Sequence, residues 1–157
     1  MGPEHVDATF TWLQDPDLRA AIDSRGEPDP ETHAAYWQRK LASPGEESYA
    51  VLADGRHIGN CGLVIDAARR KAELWLYLGE RSARDRGAGR AAAGNLLERV
   101  FGTLGLNRAA VRVVSTNDGA VRFWRSIGFV EEGRLRQDAG DADSIWLGLL
   151  RREWSSR

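Results

Sequence analysis

A strand-like run that gives way to a charged loop and then a glycine turn constrains this chain more than any other stretch. Residues 71–79 read "KAELWLYLG", in which Ala72, Leu74, Leu76 and Leu78 alternate with Glu73, Trp75 and Tyr77. A period of two puts these sets on opposite faces of a strand, one aliphatic and one mixed. "RDRGAGRAAAGN" (84–95) follows and runs into alanine-rich helix former. Glycines before a helix leave backbone N–H groups and the positive end of the helix dipole open, which suits a phosphate or pyrophosphate. A plain connection that contains Gly87 and Gly89 is the alternative reading.

The rest of the chain surrounds this unit in a definite order. The first forty residues are helical and broken by proline, with Val6, Phe10 and Leu13 on one face. Asp15-Pro16 and Asp29-Pro30 each place an N-cap before proline at the first helical position. Ala34, Trp37 and Leu41 are the expected apolar face of the helix that Asp29 opens. Strands are expected at 48–53 and 57–66 around "DGR", and at 71–79. A long helix, a strand at 109–115, a short helix closed by Gly128 and a last hairpin around "DAGDAD" complete the series. This order predicts an α/β fold with mixed strand directions in a single domain over 1–157.

Composition narrows the function. The 157 residues carry a formal net charge of -1, so nothing draws the chain to nucleic acid or an anionic membrane. Neither an opening signal segment nor an apolar run of membrane-spanning length is present, and a cytoplasmic protein is expected. Cys61, between glycines in an apolar run, reads as buried filler, and no metal-ligand cluster stands out.

Three anion motifs compete at the turn. "GAGRAA" (87–92) fits the glycine pattern of a dinucleotide fold, but the strand ends near Leu78 and "GERSARDR" intervenes, where that motif needs the strand to end at the first glycine. A P-loop fails because no Gly-Lys-Ser/Thr follows. Arg86-Gly87-Ala88-Gly89-Arg90-Ala91 has the form [Q/R]-x-x-G-x-[G/A]. It resembles the pyrophosphate-binding motif of the GCN5-related N-acetyltransferase (GNAT) family, which uses acetyl-CoA. "AELWLYLGERSARDRGAG", "NDGAVRFWRSIGF", "GFVEEGRLR" and "WLGLLRREW" extend the resemblance over about 48–154, nearest to the branch of ribosomal-protein and amino-sugar acetyltransferases. The resemblance implies a GNAT fold: a mixed, mostly antiparallel central sheet flanked by helices, with cofactor motifs within 71–129. The family's first strand is weak or absent here, unless "MGPEHV" supplies a stub of it.

The same resemblance implies a site. Backbone groups near Tyr77 and Leu78 would hold the pantetheine arm, and the amides of Gly87, Ala88, Gly89, Arg90 and Ala91 the pyrophosphate. Arg84, Arg86 and Arg90 would add charge at the phosphates. Asn117 matches an asparagine that touches the pantetheine arm or helps the thiol, which makes it a catalytic candidate, and it also suits a helix N-cap. Trp124 stands where many relatives carry a tyrosine that protonates the departing thiolate, and an indole N–H is no ordinary proton donor. Glu73 is the candidate base, acting through water; pairing with an arginine across the sheet is its structural alternative. Glu80 is a second candidate. His33 lies in a helix similar to one that carries a histidine near the acceptor pocket in the amino-sugar branch, with a surface position as its alternative, and Tyr36, Trp37 and Trp12 either wall the acceptor site or pack the first helices.

The expected activity is direct, ternary-complex transfer of acetyl from acetyl-CoA to a primary amine of a small molecule, an amino sugar first. A protein N-terminal amine comes next and a drug or polyamine third, "GEE" (45–47) being thin support for a polyamine. A non-catalytic acyl-CoA sensor is the alternative class. A homodimer is a family habit, and no metal is expected.

Overall fold

The computed structural model describes residues 1–84 and 86–155. Three helices lead: α1 (Val6–Trp12), α2 (Pro16–Ala21) and α3 (Pro30–Ala42). Asp15 and Asp29 cap α2 and α3 as expected, accepting from the amides of Asp17 at 3.0 Å and Thr32 at 2.7 Å. Then come β1 (Glu46–Ala53), β2 (Arg56–Asp66) and β3 (Lys71–Leu78), followed by α4 (Ala88–Leu97), which continues as a π-helical turn over Glu98–Thr103. Next are β4 (Arg108–Val114), α5 (Asp118–Ile127), β5 (Val130–Ala139), β6 (Ala142–Leu150) and α6 (Arg151–Trp154).

The six strands form one sheet in the order β1-β2-β3-β4-β6-β5. Every neighbouring pair is antiparallel except β3 and β4. The GNAT architecture expected from the sequence is thus the observed one. No strand precedes α1 among the described residues. Instead the Met1 ammonium donates to the Ser48 carbonyl of β1 at 3.1 Å, a contact without a ladder.

The aliphatic face of β3 joins the core cluster with α4, in which Leu63, Ala93, Leu97, Val100, Leu147 and Leu149 are fully buried. The mixed face looks toward the leading helices, and here two expected faces need correction. In α1 the buried residues are Thr9 and Trp12, while Val6, Phe10 and Leu13 are half-buried. In α3 they are His33 and Trp37, whereas Ala34 and Leu41 are exposed. Polar contacts accompany both buried faces, one from α1 to the sheet and one between α3 and α1. Thr9 Oγ1 accepts from Asn60 Nδ2 at 2.8 Å, and His33 Nε2 lies 3.2 Å from the Val6 carbonyl. Apolar periodicity does not register partners of that kind.

Candidate active site

Parallel pairing of β3 with β4 is brief. Lys71–Glu73 align with Arg108–Ala110, and beyond that rung the ladder stops while β3 runs on to Leu78 and β4 to Val114. The free strand ends line a cleft of roughly 910 Å³, together with α3, the α2–α3 connection and the start of α5. Parted strands leave backbone N–H and C=O groups without a ladder partner, available to an extended ligand.

Glu73 sits on the last paired rung and lines this cleft. Burial raises its carboxyl above the ordinary range, while Arg112, Lys71 and Lys40 pull the other way through space. No cation lies within ion-pair distance of it among the described residues, so the alternative of a cross-sheet salt bridge is not realised. Glu80 is elsewhere: its Oε1 accepts from Trp12 Nε1 at 3.0 Å, outside the cleft lining. Trp12 lies so close to Gly79 that any Cβ there would strike the indole, which fixes the turn leaving β3.

Beyond this turn, Arg84 Nη2 donates back to the Leu78 carbonyl at 3.2 Å. Gly87 is the N-cap of α4 with φ of +87°, a left-handed conformation that favours glycine. Its Cβ position is open, and the amides of Ala88, Gly89 and Arg90 have no partner among the described residues. Ala91 drops from this set, because its N–H already donates to the Gly87 carbonyl at 3.0 Å as the helix's first bond. Arg84, Arg86 and Arg90 are exposed around the turn, Arg90 donating to Ser126 Oγ at 2.8 Å. A glycine cradle, three free amides and three exposed guanidiniums fit a pyrophosphate by charge and by space.

Asn117 takes the capping role, its Oδ1 accepting from the Ala120 amide of α5 at 3.0 Å. It also lines the cleft, where Nδ2 donates to the Ala21 carbonyl at 3.3 Å. Trp124 is buried in the lining, edge-on to Phe123 and Phe129. Tyr77 lines the cleft as well, but its hydroxyl accepts from Asn60 Nδ2 at 2.8 Å, and burial pushes its pKa up to about 12. Cys61 is absent from the lining, and burial pushes its thiol up to about 11. Two groups that could otherwise give or take a proton, or carry acetyl, are thereby set aside.

Sequence reasoning missed two contributors, each a polar residue inside an apolar strand. Asn60 is wholly buried on β2 and ties His57, Thr9 and Tyr77 together. Arg112 on β4 reaches Asp23 of the α2–α3 connection at 3.3 Å and Asp138 of β5 at 3.2 Å. "GNCG" and "AVRVV" carry that signal, since a buried or half-buried polar group inside a strand needs partners. Tyr36 and Trp37 do line the cleft, and His33 is buried beside them, not a surface residue. Trp12 packs. The carboxylates of "GEE" are occupied: Lys40 pairs with Glu46, and Arg99 holds Glu47 at 2.6 Å and 3.0 Å. No group of side chains that could hold a metal ion is found among the described residues.

Comparison with known proteins agrees with this geometry. Residues 1–130 match the family model described as an acetyltransferase (GNAT) domain. A Bacillus subtilis (strain 168) protein named "Putative ribosomal N-acetyltransferase YdaF" is 30% identical over 132 residues, 79% of this chain and 70% of that protein. Among solved structures, spermidine N-acetyltransferase from Vibrio cholerae, crystallised with CoA and spermine, superposes with a TM-score of 0.89 at 17% identity, over 99% of this chain and 95% of its own. An acetyltransferase structure from T. thermophilus gives 0.86 at 23% identity, over 99% and 86%. At these identities the structural likeness speaks for the fold. The family model covers most of the chain and, with the splayed strands and the anion turn, leads to one conclusion: the chain belongs to the GNAT family and is an N-acetyltransferase.

Proposed function

We propose that the chain transfers acetyl from acetyl-CoA to the primary amine of a small molecule, directly between the two bound substrates. The observation that carries this is the parting of β3 from β4 beyond Glu73 and Ala110, with a free-amide helix N-terminus at one end of the opening and an unpaired carboxylate at the other. Acetyl-CoA supplies an activated thioester carbonyl. The amides of Ala88, Gly89 and Arg90 would hold its pyrophosphate, with Arg84, Arg86 and Arg90 beside them. The freed backbone of β3 near Tyr77 and Leu78 would hold the pantetheine arm and the carbonyl oxygen.

An alkyl amine is mostly protonated at neutral pH and must lose that proton to attack. Glu73 in its ionised form, without a cation within ion-pair distance, attracts the ammonium and takes the proton directly or through water. Trp124 and Tyr77 are poor acids, so the thiolate leaves unaided or takes a proton from solvent, which a thiol pKa far below that of an amine permits. Burial of Cys61 supports direct transfer over a route through an acetyl-cysteine. A protein N-terminal amine is the second reading, favoured by the name of the Bacillus subtilis relative.

The test is initial-rate release of CoA thiol with a panel of primary amines. Saturable release in both substrates with intersecting reciprocal plots is expected. Amine-independent release alone, or parallel plots, would overturn the scheme.

A further inference from the structure

The charges around the cleft bear on which amine it accepts, an inference that rests on the acetyl-transfer reading above. Among the described residues, five carboxylates and five cationic side chains line it, so the lining carries no net formal charge. Four of those carboxylates are committed. Asp17 accepts from Arg81 at 3.0 Å, and Asp23 from Arg25 at 3.1 Å and from Arg112. Glu27 has Arg19 at 3.6 Å, and Asp29 caps α3. Glu73 is the one with no cation within ion-pair distance and no helix end to cap, Arg112, Lys71 and Lys40 acting on it only through space.

The aromatic surfaces point the same way. Lys40 Nζ already lies 4.9 Å from the Trp75 ring centre and 5.9 Å from that of Tyr36, and the Arg39 guanidinium stands 5.8 Å from Tyr36. The ring faces that would attract a second cation are therefore taken by the chain's own. Beside these cations the wall is aromatic: the buried Trp37 lies 6.2 Å from Trp75, which carries Lys40 and stacks on the half-buried Tyr77 at 6.3 Å and 27°. A polyamine would surrender the hydration of several ammonium groups and find an anionic partner for one. A single ammonium on a flat body would meet Glu73 with its charge and the rings with its face.

We propose that the acceptor is a primary amine with one positive charge on a flat, uncharged body, either an aryl ring or the apolar face of a pyranose, and that polyamines are excluded. The structural neighbour that acetylates spermidine shares the fold and not this acceptor class.

The test measures kcat/KM at about pH 6.5, where all three amines are mostly charged, for phenethylamine, glucosamine and spermidine with saturating acetyl-CoA, alongside calorimetric titration of CoA. At least one mono-amine is expected to exceed spermidine tenfold or more; the better of the two identifies the body. Lys40→Gln, which removes a cation from the lining and releases Glu46, is expected to shrink that ratio at least threefold. Spermidine equal to or better than both mono-amines overturns the proposal, and so does an unchanged ratio in Lys40→Gln. CoA binding with no turnover of any of the three overturns this acceptor class and leaves the cofactor reading standing. Absence of CoA binding removes the underlying reading itself.

Discussion

Glu73 shows how a single residue sets function against stability. Its carboxyl is held above the ordinary range by burial, so between the unfolded and folded pKa values the folded chain binds the extra proton. Stability therefore falls as pH rises through that window, and at neutral pH the ionised side chain weakens the fold. Glu73→Gln is expected to keep or raise the melting temperature at neutral pH while lowering kcat by about 10²–10⁴, the usual contribution of a general base. The acid limb of wild-type kcat/KM should lie above the ordinary carboxylate range and vanish in the variant. A variant with full activity would remove Glu73 from the chemistry, and a large loss of melting temperature would assign it a structural role. The residue's place on a mixed strand face was legible in the sequence, but its lack of a partner was not. That depends on Arg112 turning away to Asp23 and Asp138.

At the scale of elements, the α2–α3 connection lines the cleft on the side proposed for the amine, and two residues from the opposite half pin it. Asn117 holds the Ala21 carbonyl from the start of α5, and Arg112 holds Asp23 from β4. Asp23 has φ of +55°, a left-handed conformation uncommon outside glycine, asparagine and aspartate, which these contacts help to fix. Such half-exposed ion pairs contribute about 0–1 kcal/mol to stability, so their effect should be on placement. Arg112→Gln is expected to raise KM for the amine several-fold, leave KM for acetyl-CoA unchanged, and shift unfolding free energy by less than about 1 kcal/mol. Arg112→Lys should restore part of the loss. Equal changes in both KM values, measured in the same assay, would show that the loop is not held in this way. Helix starts at Pro16 and Pro30 and the hairpin at Asp54-Gly55 were readable because caps and turns are local chemistry. The seams of α1 and α3 were not, since Thr9 and His33 are buried by partners distant in sequence or on another element.

Over the whole molecule, strand order and element sequence brought the splayed strands and the leading helices to one cleft, and set the α4 N-terminus beside Leu78 at the end of β3. The order of elements was evident from hydrophobic period and punctuation, and with it the sheet class. The early end of the β3–β4 ladder is a tertiary fact that no local pattern encodes. Ala91 shows the same limit: the motif covers it, but helix geometry engages its amide. No described helix is long and apolar enough to cross a membrane. Gly89 separates the ligand reading from a plain connection. A Cβ there would meet Phe123 at 3.7 Å, an ordinary contact. Alanine is also favoured over glycine inside a helix by roughly 0.5–1 kcal/mol. The most direct measurement is calorimetric titration of CoA into the wild-type chain and Gly89→Ala, with melting temperatures of both. One CoA per wild-type chain, at least tenfold weaker binding in the variant and an unchanged or higher melting temperature are expected. No saturable binding to the wild type, or equal affinity in both, would contradict a cofactor seated on the α4 N-terminus.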